Sequence, residues 1–306
     1  MGPTGAGKSS FIANATKCEG QGVGHELTSC TSEINVTKYE VEGSNVVLVD
    51  TPGFDDTRKS DLDILKLISD WLNTEYQTTR PMLSAMLYFH RISDNRMAGT
   101  PLKNLRVFEK LCGKNAMSKV ILVTTMWDEV DTEVGDERLK ELKDNYWKMM
   151  ISRGSTTFEC KDVRGSPMNL LQQIVRRKKE QELMGQDEEG EGGVQLQEEI
   201  SNMKLELQET AAGQQLCSRL EELARKRMET LRRIRDETKG ADQKTAEDLW
   251  REYAEVKAQL DSTLTQARQL RMTLRQRIKS IKNGFHFRGL RSKWHHPYSS
   301  AKLHTI

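Results

Sequence analysis

Gly2-Pro3-Thr4-Gly5-Ala6-Gly7-Lys8-Ser9 opens a chain of 306 residues and decides how the rest is read. The stretch satisfies G-x-x-x-x-G-K-[ST], the phosphate-binding P-loop. Its glycines let the backbone curl until N–H groups point inward at phosphate oxygens, and the helix that follows adds its positive end. Gly2, Gly5, Ala6, Gly7, Lys8, Ser9 and Ser10 are therefore the expected phosphate cradle. Lys8 is placed to reach the β- and γ-phosphates, and the Ser9 hydroxyl to ligate Mg²⁺.

Further stations lie downstream. Residues 45–49 form an apolar strand that runs into Asp50-Thr51-Pro52-Gly53. An acid at the end of such a strand is placed to hold Mg²⁺, usually through water, which selects Asp50. Gly53 has no side chain, so its N–H can approach a γ-phosphate. Residues 33–41 alternate as a partner strand, with Glu42-Gly43-Ser44-Asn45 as the hairpin turn. In the polar loop Leu27-Thr28-Ser29-Cys30-Thr31-Ser32, Thr31 is the expected further Mg²⁺ ligand and Thr28 the alternative. After an apolar strand at 120–124, Thr125-Met126-Trp127-Asp128 has the [NT]-K-x-D shape of a guanine reader, with Met126 in the lysine position. A carboxylate at Asp128 accepts from guanine N1–H and the 2-amino group together, whereas adenine offers an acceptor at N1 and no amine. Met126 can lie flat on a base without the lysine's charge. Ser166 stands open between completing the base pocket and capping a helix at 168–176.

Composition divides the chain. Hydrophobic content is 36% and charged content 30%, against ~45–50% and ~25% for ordinary globular chains. Five of the six prolines fall within the first 167 residues and the next is Pro297, so the intervening Glu/Lys/Arg/Gln/Leu-rich run reads as long helix. The expected organisation is a nucleotide-binding domain at 1–184, an acidic glycine-rich linker at 185–193, a helical hairpin or coiled coil at 194–282, and a basic aromatic disordered tail at 283–306. No stretch approaches the ~20 apolar residues that span a bilayer. No leader is expected, because Gly2 already belongs to the motif. Five scattered cysteines fit a reduced, cytoplasmic chain. With 47 basic against 45 acidic residues, net +2, no nucleic-acid footprint is expected.

In the helical part Leu249, Tyr253, Val256, Leu260, Thr263, Ala267, Leu270, Leu274, Arg277 and Ile281 keep a/d spacing. Lys239-Gly240-Ala241-Asp242 breaks the helix before this seam, which suits an antiparallel hairpin. The seam is open between a helix packed on the first domain and a self-association coil, and its narrow, sustained spacing favours the coil. Arg176-Arg177-Lys178-Lys179 reads as the solvated last turn of a helix rather than a lipid- or nucleic-acid-binding patch. The tail, with four of the six histidines, is suited at most to weak membrane-surface contact.

Together, GPTGAGKSSFI, VGHELTSCTSEI, DTPGFDD, LYFHRISDNRMAGT and VTTMWD resemble a translation-factor-class P-loop GTPase. The nearest likeness is to septins, immune-associated nucleotide-binding GTPases, chloroplast import-receptor GTPases and, closely, a group of fungal G-domain proteins. The resemblance covers about residues 2–180. It implies a Ras-like doubly wound α/β sheet followed by a long α-helical region, GTP or GDP with Mg²⁺ as ligands, and nucleotide-controlled self-association as a homo-dimer or oligomer. One departure is physical. A P-loop joins a buried central strand to a helix, and only Met1 precedes Gly2. Without that first strand its two neighbours stand about 9–10 Å apart, twice the ~4.7–4.9 Å of paired strands. A split sheet, an unstable chain and a poorly anchored P-loop are expected, from a start codon placed too late or a fragment.

Ras-type switches orient the attacking water with a glutamine just after D-x-x-G. Here Phe54 stands there, and it neither donates nor accepts. His90 is the candidate to orient water or meet a partner's nucleotide, and Arg91 or Arg96 to supply transition-state charge in trans. The competing reading is a loop held by its own polar contacts. The expected function is a slow, Mg²⁺-dependent GTPase switch. The alternatives are a GTP-binding assembly module with little hydrolysis and a truncated, inactive fragment.

Overall fold

A computed structural model describes residues 1–17, 33–54, 59–79, 83–97, 99–184, 194–203, 205–239 and 243–271. Thr28, Thr31, the acidic linker, the last heptads and the aromatic tail lie outside the described residues.

Helix α1 (Lys8–Thr16) leaves the P-loop directly. Strands β1 (Asn35–Val41) and β2 (Ser44–Asp50) pair antiparallel, with Asn35 opposite Asp50 and Val41 opposite Ser44. Two residues make their turn instead of the expected four. Glu42 and Gly43 both have positive φ, 49° and 76°, the left-handed pair whose twist matches the strands it joins. The chain continues through α2 (Asp61–Thr79), β3 (Met86–Arg91), α3 (Thr100–Cys112), β4 (Val120–Thr125), α4 (Thr132–Glu141), α5 (Lys148–Ile151), β5 (Thr156–Glu159) and α6 (Ser166–Leu183). β3, β4 and β5 are parallel, Met86 lying opposite Val120 and Ile121 opposite Thr156.

β4 is buried along its whole length, as a continuous apolar strand covered on both faces should be. On one face Phe89, Ile121 and Val123 join Phe11 of α1 and Leu170, Leu171 and Val175 of α6. On the other, Met86, Tyr88, Val120 and Leu122 join Leu65, Leu105 and Phe108. Helices on both faces of a parallel sheet make the doubly wound P-loop fold.

The sheet stands in two pieces, β1–β2 and β3–β4–β5, with no ladder between them among the described residues. Between Val47 and Val49 of β2 and Met86, Leu87 and Phe89 of β3 lies a cavity of about 160 Å³. The expectation of a poorly anchored P-loop needs correction. The Met1 amine donates to Leu87 O at 2.7 Å, and Phe89 N donates to Met1 O at 2.9 Å. Thr4 N donates to Phe54 O at 3.3 Å, and Pro3 forms a bridge with Phe54. Backbone groups at 1–4 thus pair with β3 on one side and with the segment after β2 on the other, so the loop is tied to both pieces.

The helical region packs on this domain. Val194 and Leu196, beside the short helix α7 (Gln195–Gln197), are buried in the same core as Leu65 and Phe108. Helix α8 (Ala211–Thr238) starts under a Thr210 cap whose Oγ1 accepts from Gly213 N at 3.0 Å. Helix α9 is Gln243–Arg271. Ala267 and Leu270, late in α9, share a core with Leu216 and Leu220, early in α8, so the pair is an antiparallel hairpin. The heptad seam closes on this chain's own α8. Leu260, Thr263, Ala267 and Leu270 are buried, and Leu249, Tyr253 and Val256 half-buried. Thr263 belongs there because its Oγ1 accepts from Arg227, which also donates to Gln259 O at 2.7 Å. Arg219 of α8 reaches Asp61 at the start of α2 (2.6 Å) and Asn104 Oδ1 of α3 (2.7 Å). No helix among the described residues is long and apolar enough to cross a membrane.

Candidate functional site

The P-loop residues gather at the C-terminal ends of the strands, where open α/β sheets bind ligands. A Cβ on Gly2 would stand 2.4 Å from Phe89 O, so only glycine lets the loop leave the sheet there. Lys8 is buried, and its Nζ donates to Pro3 O at 2.8 Å and Gly2 O at 3.2 Å. The ammonium thus sits at the centre of the curl, where phosphate oxygens would take over from carbonyls as acceptors. The Ser9 hydroxyl donates to Asp50 Oδ2 at 2.6 Å. These two oxygens come from separate elements and suit a hard divalent cation, so the residues fit Mg²⁺. A metal there would neutralise charge developing on the β- and γ-phosphates. Gly53 lies against Thr4, where an added Cβ would be 2.6 Å from the Thr4 N. The close approach is therefore between Gly53 and the P-loop backbone.

The base-reading station adjoins the loop. Thr125 Oγ1 donates to Ala6 O at 3.2 Å and to His90 O at 3.4 Å, so Thr125 ties β3 and β4 to the P-loop. Met126 has φ +58°, and its Cε lies 3.8 Å from where a Gly7 Cβ would be. That puts the thioether beside Gly7 of the P-loop. Asp128 is exposed in the short turn Trp127–Glu129. Ser166 is used locally: its Oγ accepts from Asp162 N at 3.1 Å at the start of α6.

Three supports of this station escaped the sequence reading. Trp127 is buried and donates from Nε1 to Thr124 Oγ1 at 3.1 Å. Lys161, just after β5, lies 4.3 Å from the Trp127 ring centre, within cation–π range. Arg138 of α4 donates to Ile92 O (3.0 Å), Ser93 O (3.1 Å) and Asn95 Oδ1 (2.6 Å), fixing the loop after β3. The x of the reader motif and one arginine among many carry no local signal, and Lys161 stands out only once β5 is placed.

The hydrolysis candidates separate. Phe54 is 1% exposed in the core, so no side-chain polar atom stands at the water-orienting position. His90 is 2% exposed and packs edge-on to Trp147, on the face of β3 opposite the Phe89–Phe11 contact. Burial pushes its pKa down to about 4, against a raising effect of Asp94, so it is neutral near pH 7. The structure therefore does not bring His90 to the phosphate loop. Arg91 points the other way. Its Nη1 lies 3.5 Å from where a Gly5 Cβ would be, and Nη2 pairs with Asp94 at 3.0 Å. Arg96 is exposed.

The family model described as 50S ribosome-binding GTPase matches residues 1–126. The chain carries a G-domain P-loop fold. This GTP-binding G domain occupies the part of the chain that holds the P-loop, Asp50–Gly53 and the start of the reader motif. None of the curated proteins matches the chain. Among solved structures, Toc33 from Arabidopsis thaliana with GDP and Mg²⁺ is 19% identical at a TM-score of 0.45, covering 63% of this chain and 85% of that one. Toc33 with Mg²⁺ and GMPPNP is 18% identical at 0.46, covering 59% and 83%. A bacterial selenocysteine-specific elongation factor, EF-Sec, is 16% identical at 0.39, covering 58% and 28%.

Proposed function

We propose that the G domain binds GTP and GDP with Mg²⁺ and hydrolyses GTP slowly, as a nucleotide-controlled switch coupled to self-association in the cytoplasm. The observation that carries the reading is the Ser9–Asp50 contact of 2.6 Å beside a P-loop whose Lys8 points into the curl. Two oxygens suited to Mg²⁺ and a cation suited to phosphate on neighbouring residues support this reading. Slowness follows from Phe54, which leaves water placement to another group. Arg91, against the P-loop, is suited to act in cis, and the exposed Arg96 in trans. Free thiols at Cys112, Cys160 and Cys217 suit a reducing compartment.

Turnover of GTP per molecule, measured over a hundredfold range of protein concentration, tests the coupling. An arginine supplied in trans is worth ~10³–10⁵ in rate, so activity should rise steeply with concentration and Arg96→Ala should abolish the rise. A flat profile would remove self-activation. The burial of Phe54 also favours a second reading, a GTP-binding assembly module with little hydrolysis. Tight GTP binding without phosphate release at any concentration would select it.

A further inference from the structure

A pocket of about 570 Å³ opens at the pole of the sheet opposite the nucleotide site. It is lined by Ala85, Lys119 and Thr156, at the entries to β3, β4 and β5, whereas the P-loop meets their exits. Its size falls within the ~300–1,000 Å³ of small-molecule sites. The floor is apolar: Ile121 and Phe158 from the sheet, Leu170 and Ile174 from α6. Along α6 the lining runs from Leu170 to Glu182, about 18 Å at ~1.5 Å per residue. From Arg177 back to Leu170 it covers about 10 Å at ~1.5 Å per residue, and Ile121 and Phe158 extend the apolar floor across β4 and β5.

The mouth is basic, and a pattern in the sequence explains why. Of the run Arg176-Arg177-Lys178-Lys179, the first and last residues hold the β1–β2 turn. Arg176 Nε donates to Glu42 Oε1 and Oε2 at 3.0 and 3.1 Å, and Lys179 Nζ to Glu42 O at 2.7 Å. Arg176 keeps the Glu42 carboxyl below its usual pKa. The two middle residues turn the other way and line the pocket with Lys119. Glu182, the one acid in the lining, lies 3.7 Å from Lys178. Arg177 and Lys119 thus join the Lys178–Glu182 pair in the lining, beside the apolar residues.

We propose that this pocket binds a long-chain carboxylate, its alkyl chain along α6 over Ile121, Phe158 and Ile174, and its head on Arg177. A guanidinium pairs with a carboxylate through two parallel N–H donors, and the apolar floor gives the chain the area to bury. The lining shares no residue with the P-loop, Asp50–Gly53 or the reader motif.

Hexadecanoate titrated into the full chain by calorimetry, with and without saturating GDP, tests the proposal. Saturable one-to-one binding, unaffected by GDP, is expected. Hexadecanol should bind more weakly by roughly tenfold or more, the value of hydrogen bonds to a charged group. Arg177→Glu should weaken hexadecanoate by a similar factor, and Ile174→Trp should block the trough, with GDP affinity unchanged in both as the check on folding. If either variant fails to bind GDP, the comparison of hexadecanoate with hexadecanol on the wild-type chain decides. Absence of binding, displacement by GDP, or equal affinity for acid and alcohol would each overturn the assignment.

Discussion

Replacing Arg219 with methionine should cost about 3–5 kcal/mol of stability, because it breaks a largely desolvated ion pair with Asp61. The contact is short, 2.6 Å, and the side chains are 9% and 12% exposed. Solvent screening is therefore weak, and the ~0–1 kcal/mol of a surface pair does not apply. The same guanidinium nitrogen also donates to Asn104 Oδ1 at 2.7 Å, so the variant strips a hydrogen bond from α3 as well. For a folded unit of this size each kcal/mol moves the melting temperature by roughly 2–4 °C, giving a drop of about 6–20 °C. Thermal and urea unfolding of wild type, Arg219→Met, Asp61→Leu and the double variant would measure it. The double variant should recover much of the loss, because an apolar pair of similar volume replaces two desolvated charges. A single variant within 1 kcal/mol of wild type, or strictly additive losses, would refute the reasoning. It would mean that the hairpin is held on α2 and α3 by apolar packing alone.

His90 offers a pH prediction. Burial lowers its folded-state pKa to about 4 from 6.5, so between these values the unfolded chain binds the extra proton and stability falls with acidification. The loss from pH 7 to 5 should be about 2 kcal/mol in wild type by linkage, and His90→Gln should remove that part of the slope in urea unfolding. Asp128→Asn should shift preference from guanine to xanthine nucleotides, because its amide donates to a 2-oxo group instead of accepting from an amine. Competition of labelled GDP by GTP, XTP and ATP reads this out, and effective competition by ATP against wild type would reject the reader assignment. Lys8→Ala should abolish most nucleotide affinity. Ser9→Ala should weaken Mg²⁺-dependent triphosphate binding more than diphosphate binding, and equal loss of both would argue against its metal role.

Much of the candidate site is legible in the sequence because its chemistry is local. A phosphate cradle needs consecutive backbone N–H groups, so Gly2 to Ser9 announce it in eight adjacent residues, and Asp50 and Asp128 each follow an apolar strand whose end must lie at the ligand pole. The split sheet was legible too, from strand spacing once the order was assumed. What lies between elements needed the tertiary structure. Period-two alternation says that His90 and Arg91 face opposite ways but not which faces the P-loop, and packing against Trp147 on one side and Gly5 on the other decides it. The a/d seam of α9 could close on another chain or on its own, and its spacing alone favoured another chain. Burial of Leu260, Ala267 and Leu270 against α8 settles it within the described residues. Arg219 is one cation among 47 basic residues, and only the approach of α8 to α2 and α3 makes it a buried tie. Contacts set by the chain's local period can be read along it; contacts between distant segments depend on how the apolar faces pack, which no single segment encodes.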